Sequence, residues 1–302
     1  MILEEGIDAG LTWHYGSPVA EARTMAAGGG IVALTNRDVV EISGDDRLTL
    51  LQLISSARFD ALAPGETVTA LILDAQGHIA HAFTGVDDGA RLVAWTEPGG
   101  GEPLVAHLMR MRFAMRVEAR VLERRLYWVG EQMELRGVSC ACALGGRWLV
   151  TESELAADVG TWAWEAARIA GGIPRIGVDT DARTIPNEIG LYGTVLDKGC
   201  YPGQETVAKV FNLGRPPRRL VRLHLDGSMV TLPEVGGDLW LGERKVGFVG
   251  ASALHHELGP IALGLVKRAV AVDAELTVAG IPAAQEPLVD PNVGLHVRPT
   301  LG

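Results

Sequence analysis

The pattern of this chain changes at one place. Gly214-Arg215-Pro216-Pro217-Arg218-Arg219 is a basic connector broken by two prolines. Proline neither continues a helix nor sits in a central strand, so the segment separates two structural regimes. After it come only short apolar runs with turn residues between them: Leu220–Leu225, Thr231-Leu232, Asp238–Leu241, Lys245–Val249, Ile261–Val266 and Leu276–Val278. Short strands at fairly regular spacing predict a small β-barrel or sandwich.

Before the connector, helices and strands mix. Ser17-Pro18 predicts a helix start, running to about Ala27 and stopping at Gly28-Gly29-Gly30. Val39 to Ile42 reads as a strand. Gly44-Asp45-Asp46 then opens a helix with acid in its first turn, where the dipole favours it. Leu48, Leu50, Leu51 and Ile54 give that helix an apolar face. Thr67–Leu73, Ile79–Thr84 and Leu92–Thr96 alternate with turns at Asp74-Ala75-Gln76-Gly77 and Asp87-Asp88-Gly89, which are hairpin signals. Helices are expected at 103–111, 152–157 and 162–170, and extended segments at 116–122 and 126–129. Antiparallel hairpins with crossing helices make the fold class α+β rather than a doubly wound parallel sheet. Residues 1–214 and 215–302 are the expected domains.

Bulk properties exclude several functions. The chain has 302 residues, 47% of them hydrophobic, and a net charge of −10. Sequence-independent nucleic-acid binding rests on neutralising phosphates, so no direct nucleic-acid partner is expected. No run approaches the roughly 18 apolar residues of a membrane span. The start, Met1-Ile2-Leu3-Glu4-Glu5, has no basic and apolar leader pattern, which points to the cytoplasm. Cys140, Cys142 and Cys200 are too few for a disulfide framework. Cys140 and Cys142 read as small semi-buried residues, and no metal site is expected. Gly28-Gly29-Gly30 precedes a strand and so forms no phosphate loop. His255-His256-Glu257 reads as a solvated turn.

The chemistry concentrates in Asp197-Lys198-Gly199-Cys200-Tyr201-Pro202-Gly203-Gln204-Glu205. A strand at Gly193–Leu196 is expected to lead into this loop, and Gln204–Phe211 to form a helix. A cysteine just before a helix N-terminus feels the positive end of the dipole. Lys198 adds a full positive charge, in a chain with only four lysines. Both effects favour thiolate over the free-cysteine pKa of about 8.5. Gly199 and Gly203 allow a close backbone approach. The alternative is a space-filling cysteine beside an exposed lysine.

The run Lys198 to Glu205 resembles the signature of the YgfZ-type folate-binding proteins, relatives of the aminomethyltransferase (T-protein) of the glycine cleavage system. Cys200 matches the hallmark of the YgfZ branch. Ala170-Gly171-Gly172-Ile173-Pro174, Ile185-Pro186-Asn187-Glu188-Ile189-Gly190-Leu191, Ile42-Ser43-Gly44-Asp45-Asp46-Arg47 and Gly259-Pro260-Ile261-Ala262-Leu263 resemble further landmarks of that family. The resemblance implies a ring of ferredoxin-like α+β domains, formed by two intertwined lobes around a folate site, followed by the C-terminal β-barrel. It implies tetrahydrofolate, or another folate, as cofactor. Trp164, ten residues before Pro174, matches a tryptophan that can line the folate site; an indole face suits a flat ring, and the alternative is a core residue. Glu188 matches a glutamate that accepts bonds from the pterin; the alternative is a capping or salt-bridging carboxylate. Tyr201 and Gln204 are the further folate-contact candidates within the signature.

One departure redirects the function. The transferase branch carries Gly-Gly-Ile-x-Asp-Asp, and this chain has Gly77-His78-Ile79-Ala80-His81-Ala82. The acidic pair is absent. The resemblance therefore implies a tetrahydrofolate-binding protein of iron–sulfur cluster assembly or repair, acting through Cys200 with Lys198 beside it. Its partners would be iron–sulfur assembly proteins or client enzymes, and tRNA modification would depend on it indirectly. The alternatives are a folate-dependent aminomethyl or methyl transferase or demethylase, and a non-catalytic scaffold.

Overall fold

The computed structural model describes residues 1–131, 133, 135–228 and 231–292. The chain forms two compact units. One comprises Met1–Ile72, His81–Trp164 and Asp197–Tyr201; the other comprises Leu73–Ala80, Glu165–Leu196 and Pro202–Gly302. The class is α+β with a closed six-stranded barrel at the C-terminal end.

The elements run α1 (Pro18–Ala26), β1 (Ile31–Ala33), β2 (Asp38–Ser43), α2 (Arg47–Ile54), β3 (Thr67–Leu73), β4 (Ile79–Asp87), β5 (Arg91–Thr96), α3 (Gly101–Met111), β6 (Glu118–Leu122), β7 (Arg125–Val129), β8 (Val138–Ala141), β9 (Arg147–Thr151) and α4 (Thr161–Ala170). They build a sheet of order β3-β4-β5-β2-β6 and a second of order β1-β7-β9-β8. The larger sheet buries Val40, Ile42, Ala70, Ile72 and Ala94 in one apolar cluster with Leu50, Leu51 and Ile54 of α2 and Leu104 and Leu108 of α3. Leu104 and Leu108 are four apart, which puts both on one helix face. Burying each fully contributes about 2 kcal/mol. Arg47 adds a bidentate, buried pair with Asp87, at 2.7 and 2.8 Å, tying α2 to the end of β4.

In the second unit, α5 (Gln204–Leu213) precedes β10 (Arg218–Leu225), β11 (Asp238–Leu241), β12 (Arg244–His255), β13 (Gly259–Lys267), β14 (Leu276–Val278) and β15 (Ile281–Pro287). The barrel closes in the order β10-β13-β12-β11-β14-β15. Closure removes exposed strand edges, and Val221, Leu223, Leu239, Val266 and Leu276 fill the interior. β12 carries a register shift between Val249 and Ser252.

Four expectations are corrected. Residues 152–157 form no helix: β9 ends at Thr151, and the chain stays irregular until Val159 bridges Val32. Gly193–Leu196 is not a strand; it turns, with Thr194 N–H donating to Leu191 O at 2.9 Å. Thr231-Leu232 lies outside the strands. Ser17 makes no side-chain cap on α1; Glu21 Oε1 instead accepts from Tyr15 and Ser17 N–H, at 2.9 and 3.1 Å.

Candidate functional site

The signature loop is held by its lysine. Lys198 is only 8% exposed. Its Nζ donates to the carbonyls of Gln52, Ser55 and Ala57 at 2.7, 2.6 and 2.6 Å. A helix leaves its last carbonyls unbonded and carries partial negative charge there. α2 ends at Ile54, so Lys198 caps that end with all three ammonium hydrogens. Burial pushes Lys198 down to about 8, with Asp60 opposing and Arg58 reinforcing; the three carbonyls favour the charged form. The ammonium also sits over the Tyr201 ring, 5.2 Å from its centroid. Tyr201 is buried, which pushes its phenol up. Arg58 fixes the other side of the loop, donating to Asp197 O at 2.6 Å. Lys198 and Tyr201 are thus brought together.

Cys200 lies between these anchors and is exposed, whereas Cys140 and Cys142 are buried. Burial pushes the Cys142 thiol up to about 11 and raises Cys140 as well. Neither is a thiolate at neutral pH. A thiol-labelling reagent should therefore modify one cysteine of the native protein rapidly, and Cys200→Ala should abolish that phase. Fast labelling of a second thiol before unfolding would contradict the burial of Cys140 and Cys142.

Gly203 and Gln204 start α5. Gly203 has φ +78, and a Cβ there would lie 2.6 Å from Asp74 O and 3.0 Å from the Cα of Gly77. A Cβ on Gly77, at φ +87, would lie 2.8 Å from the Cβ of Thr206 and 3.3 Å from Gly203 O. The β3–β4 turn and the start of α5 therefore pack backbone to backbone, which requires both glycines. Gln204 occupies the first helical position of α5.

Glu188 lies in the 3-10 turn Pro186–Ile189 and is fully buried. Its Oε2 accepts from Ile185 N–H at 3.1 Å and Arg218 Nη2 at 2.8 Å, and its Oε1 accepts from Arg218 Nε at 2.7 Å. It is both a capping and a salt-bridging carboxylate. Arg218 reaches further to Asp181, at 2.7 and 3.0 Å. Hydrogen bonds from Arg218 hold the Asp181 carboxyl down at about 2. Arg218 and Asp181 escaped notice in the sequence, where Arg218 reads as part of a basic connector; an arginine directly after two prolines was the available signal.

Trp164 is 6% exposed and packs edge-on against Trp148, with centroids 5.0 Å apart. Trp148 in turn contacts Trp95 at 5.3 Å. Three residues far apart in sequence thus form one aromatic cluster.

The two histidines of the stretch 77–82, of which His81 stands where the transferase branch has an acid, have other roles. His78 Nδ1 pairs with Asp74 Oδ2 at 3.0 Å in the β3–β4 turn. His81 lies on β4, with its ring centroid 5.0 Å from that of His107. Burial, reinforced by His107 and Arg110, pushes His81 down to about 4. At neutral pH it is an uncharged imidazole and cannot supply the negative charge of the missing aspartate.

No family model matches the chain. The tRNA-modifying protein YgfZ of Yersinia enterocolitica is 43% identical over 96 residues, covering 30% of this chain and 28% of that protein. The YgfZ protein of an Enterobacter species is 40% identical over 96 residues, covering 30% and 29%. A chloroplastic protein of Arabidopsis thaliana, named as a candidate transferase, is 29% identical over 148 residues, covering 47% and 33%. The matches span a third or less of these relatives' lengths. The crystal structure of glycine cleavage system aminomethyltransferase T from Bartonella henselae matches with a TM-score of 0.75 and 15% identity, over 94% of this chain and 92% of that one. That likeness establishes the fold. Over 96 residues the chain is thus similar in sequence to YgfZ proteins, and over nearly its whole length it has the fold of glycine cleavage aminomethyltransferase T.

Proposed function

We propose that the protein binds tetrahydrofolate, or another folate, and supports iron–sulfur cluster assembly or repair through Cys200. The observation that carries this reading is an exposed thiol on a loop whose neighbouring lysine is buried and spent on three backbone carbonyls. Such anchoring positions a thiol without closing it off from a partner. Lys198 then serves by fixing the loop that presents Cys200. The partners would be iron–sulfur assembly proteins or client enzymes in the cytoplasm, and tRNA modification would depend on the protein indirectly, without RNA contact. An aminomethyltransferase-like region, 1–214, would supply the folate contacts, and the barrel region, 215–302, would complete the fold.

The folate contacts in this reading are Trp164, Glu188, Tyr201 and Gln204. The chemistry of Glu188 limits its share. A carboxylate has about four acceptor positions, and three are taken by Ile185 and Arg218. One remains on Oε1, and because Glu188 is fully buried a single pterin N–H would reach it only if its surroundings open. An aromatic cluster that includes Trp164 provides the optical probe. Titration with tetrahydrofolate should quench tryptophan fluorescence saturably, with matching heat in calorimetry. Absence of both at millimolar ligand would overturn the folate half of the proposal, whatever the fate of Cys200.

Fold likeness to aminomethyltransferase T favours a second reading, a folate-dependent one-carbon transferase or demethylase. The neutral His81 and Ala82 weigh against it. Formation of methyl-tetrahydrofolate or formaldehyde from a methylated amine would distinguish it.

A further inference from the structure

Strand β4 and helix α3 bring three basic side chains together within the first unit: His81, His107 and Arg110. His81 and Phe83 are two apart on β4 and share a sheet face. Phe83 packs in one apolar cluster with Leu104 and Leu108 of α3, so that face is the one turned to α3. His107 and Arg110 are three apart on α3 and are neighbours on its surface. The two imidazole centroids lie 5.0 Å apart, with the rings tilted by 56°. Arg110 Nη2 is 3.0 Å from His107 Nδ1.

Hydrogen-bond chemistry fixes the polarity of this cluster. A guanidinium only donates, so His107 Nδ1 accepts from Arg110, and the proton of the neutral ring sits on Nε2. Burial, with Arg110 beside it, lowers the pKa of His107, and the same forces together with His107 lower that of His81. At neutral pH each ring therefore offers one N–H to a ligand.

No acid answers these donors. Arg112 and Arg116, further along the same segment, pair with Glu118 and Asp46. Among the described residues, Arg110 makes no ion pair and is exposed. Among those residues too, the charged groups that act on His81 are His107 and Arg110, and both oppose its protonation. The His81 ring has no hydrogen-bond partner there, and neither of its nitrogens is sealed from solvent. The Nε2 of His107 is open in the same way.

We propose that His81, His107 and Arg110 bind the carboxylate of a small organic acid, with Arg110 taking one oxygen and the imidazole N–H groups the other. Hydrogen bonds from a guanidinium to a carboxylate are charge-assisted and roughly twice as strong as neutral ones. One full positive charge matches a monoanion better than a phosphate dianion. A metal cation is disfavoured, because Arg110 occupies His107 Nδ1 and repels it. The site uses none of the proposed folate contacts and stands whether or not folate binds.

The probe is acetate, titrated against the full chain at neutral pH and constant ionic strength, with the histidine ring protons followed by NMR. Acetamide, a neutral analogue of the same shape, and inorganic phosphate are the comparisons. Acetate should shift the His81 and His107 resonances saturably. Acetamide should leave them in place, and phosphate should bind no more tightly than acetate. Arg110→Gln lies at an exposed position that folding tolerates, and it should weaken acetate at least tenfold. His81→Phe keeps a flat ring without the N–H and should weaken acetate at least threefold. A bound anion favours the protonated imidazoles, so affinity should rise as the pH falls towards about 6. Shifts that grow linearly throughout the titration, an equal response to acetamide, tighter binding of phosphate, or acetate binding undiminished in Arg110→Gln would overturn the proposal. Displacement of acetate by stoichiometric tetrahydrofolate would overturn it as a site separate from folate.

Discussion

Asp179→Ala is expected to destabilise the protein by about 4 kcal/mol, the largest loss anticipated for a single substitution here. Arg168 is 1% exposed. Its guanidinium donates to Glu165 Oε2 through Nε at 2.9 Å, to Asp179 Oδ2 at 2.7 Å and to Ile173 O at 3.1 Å. Burial opposes its charge, but Asp179 and Glu165 outweigh burial and hold its pKa above the ordinary value. Asp179 also accepts from the N–H groups of Arg175 and Ala251, both at 2.7 Å. The second of these bonds reaches the irregular point of β12, where Gly250 lets the backbone approach: a Cβ there would lie 2.1 Å from Asp179 Oδ1. Alanine at 179 would leave a fully buried cation short of one partner and two buried amides unbonded. Asp179→Asn keeps one of the two acceptor oxygens and should cost less. Chemical denaturation followed by circular dichroism measures both. A loss below 1 kcal/mol for the alanine variant would show that Arg168 is neutralised by Glu165 alone.

Lys198→Met should cost about 3 kcal/mol and release the signature loop. Methionine replaces the stem but leaves the carbonyls of Gln52, Ser55 and Ala57 without their donor, and hydrogen bonds to charged groups are worth about 1.5–3 kcal/mol each before relaxation. Lys198→Arg should not restore stability, since a planar guanidinium cannot occupy a socket shaped for three donors from one nitrogen. The readout that separates loop release from general destabilisation is local: backbone amide exchange of Gly199 to Tyr201 should rise more than that of the barrel strands. Equal increases throughout would refute the anchor.

What could be read from the sequence followed from local rules. The α2 apolar face, the Thr67–Leu73 strand and the helix after Pro202-Gly203 are periodic or punctuated, and each occurs where its pattern places it. β15 was missed because its run, Ile281-Pro282-Ala283-Ala284-Gln285-Glu286-Pro287, holds two prolines and no continuous apolar stretch. Its strand character comes from pairing with β10 and β14 on either side. The site was legible as a motif and opaque as a geometry. Lys198 reads as a charge beside a thiol; its partners lie more than 140 residues away, on a helix end that no local rule connects to it. Glu188 reads as a ligand acceptor, and Arg218 claims it across 30 residues. The network of Glu165, Arg168, Arg175 and Asp179 reads as ordinary helix and loop polarity, because burial of paired charges leaves no periodic signature.

The central claim is that Cys200 is the working group of an anchored, exposed loop. Complementation of a deletion strain tests it most directly. The wild-type chain and Cys200→Ala are expressed at equal levels, and the activity of an iron–sulfur enzyme is measured under oxidative stress. Cys200 is exposed, so the variant should accumulate and fold normally. Cys200→Ala should leave cluster-enzyme activity at the level of the deletion strain. Full restoration by Cys200→Ala would contradict it.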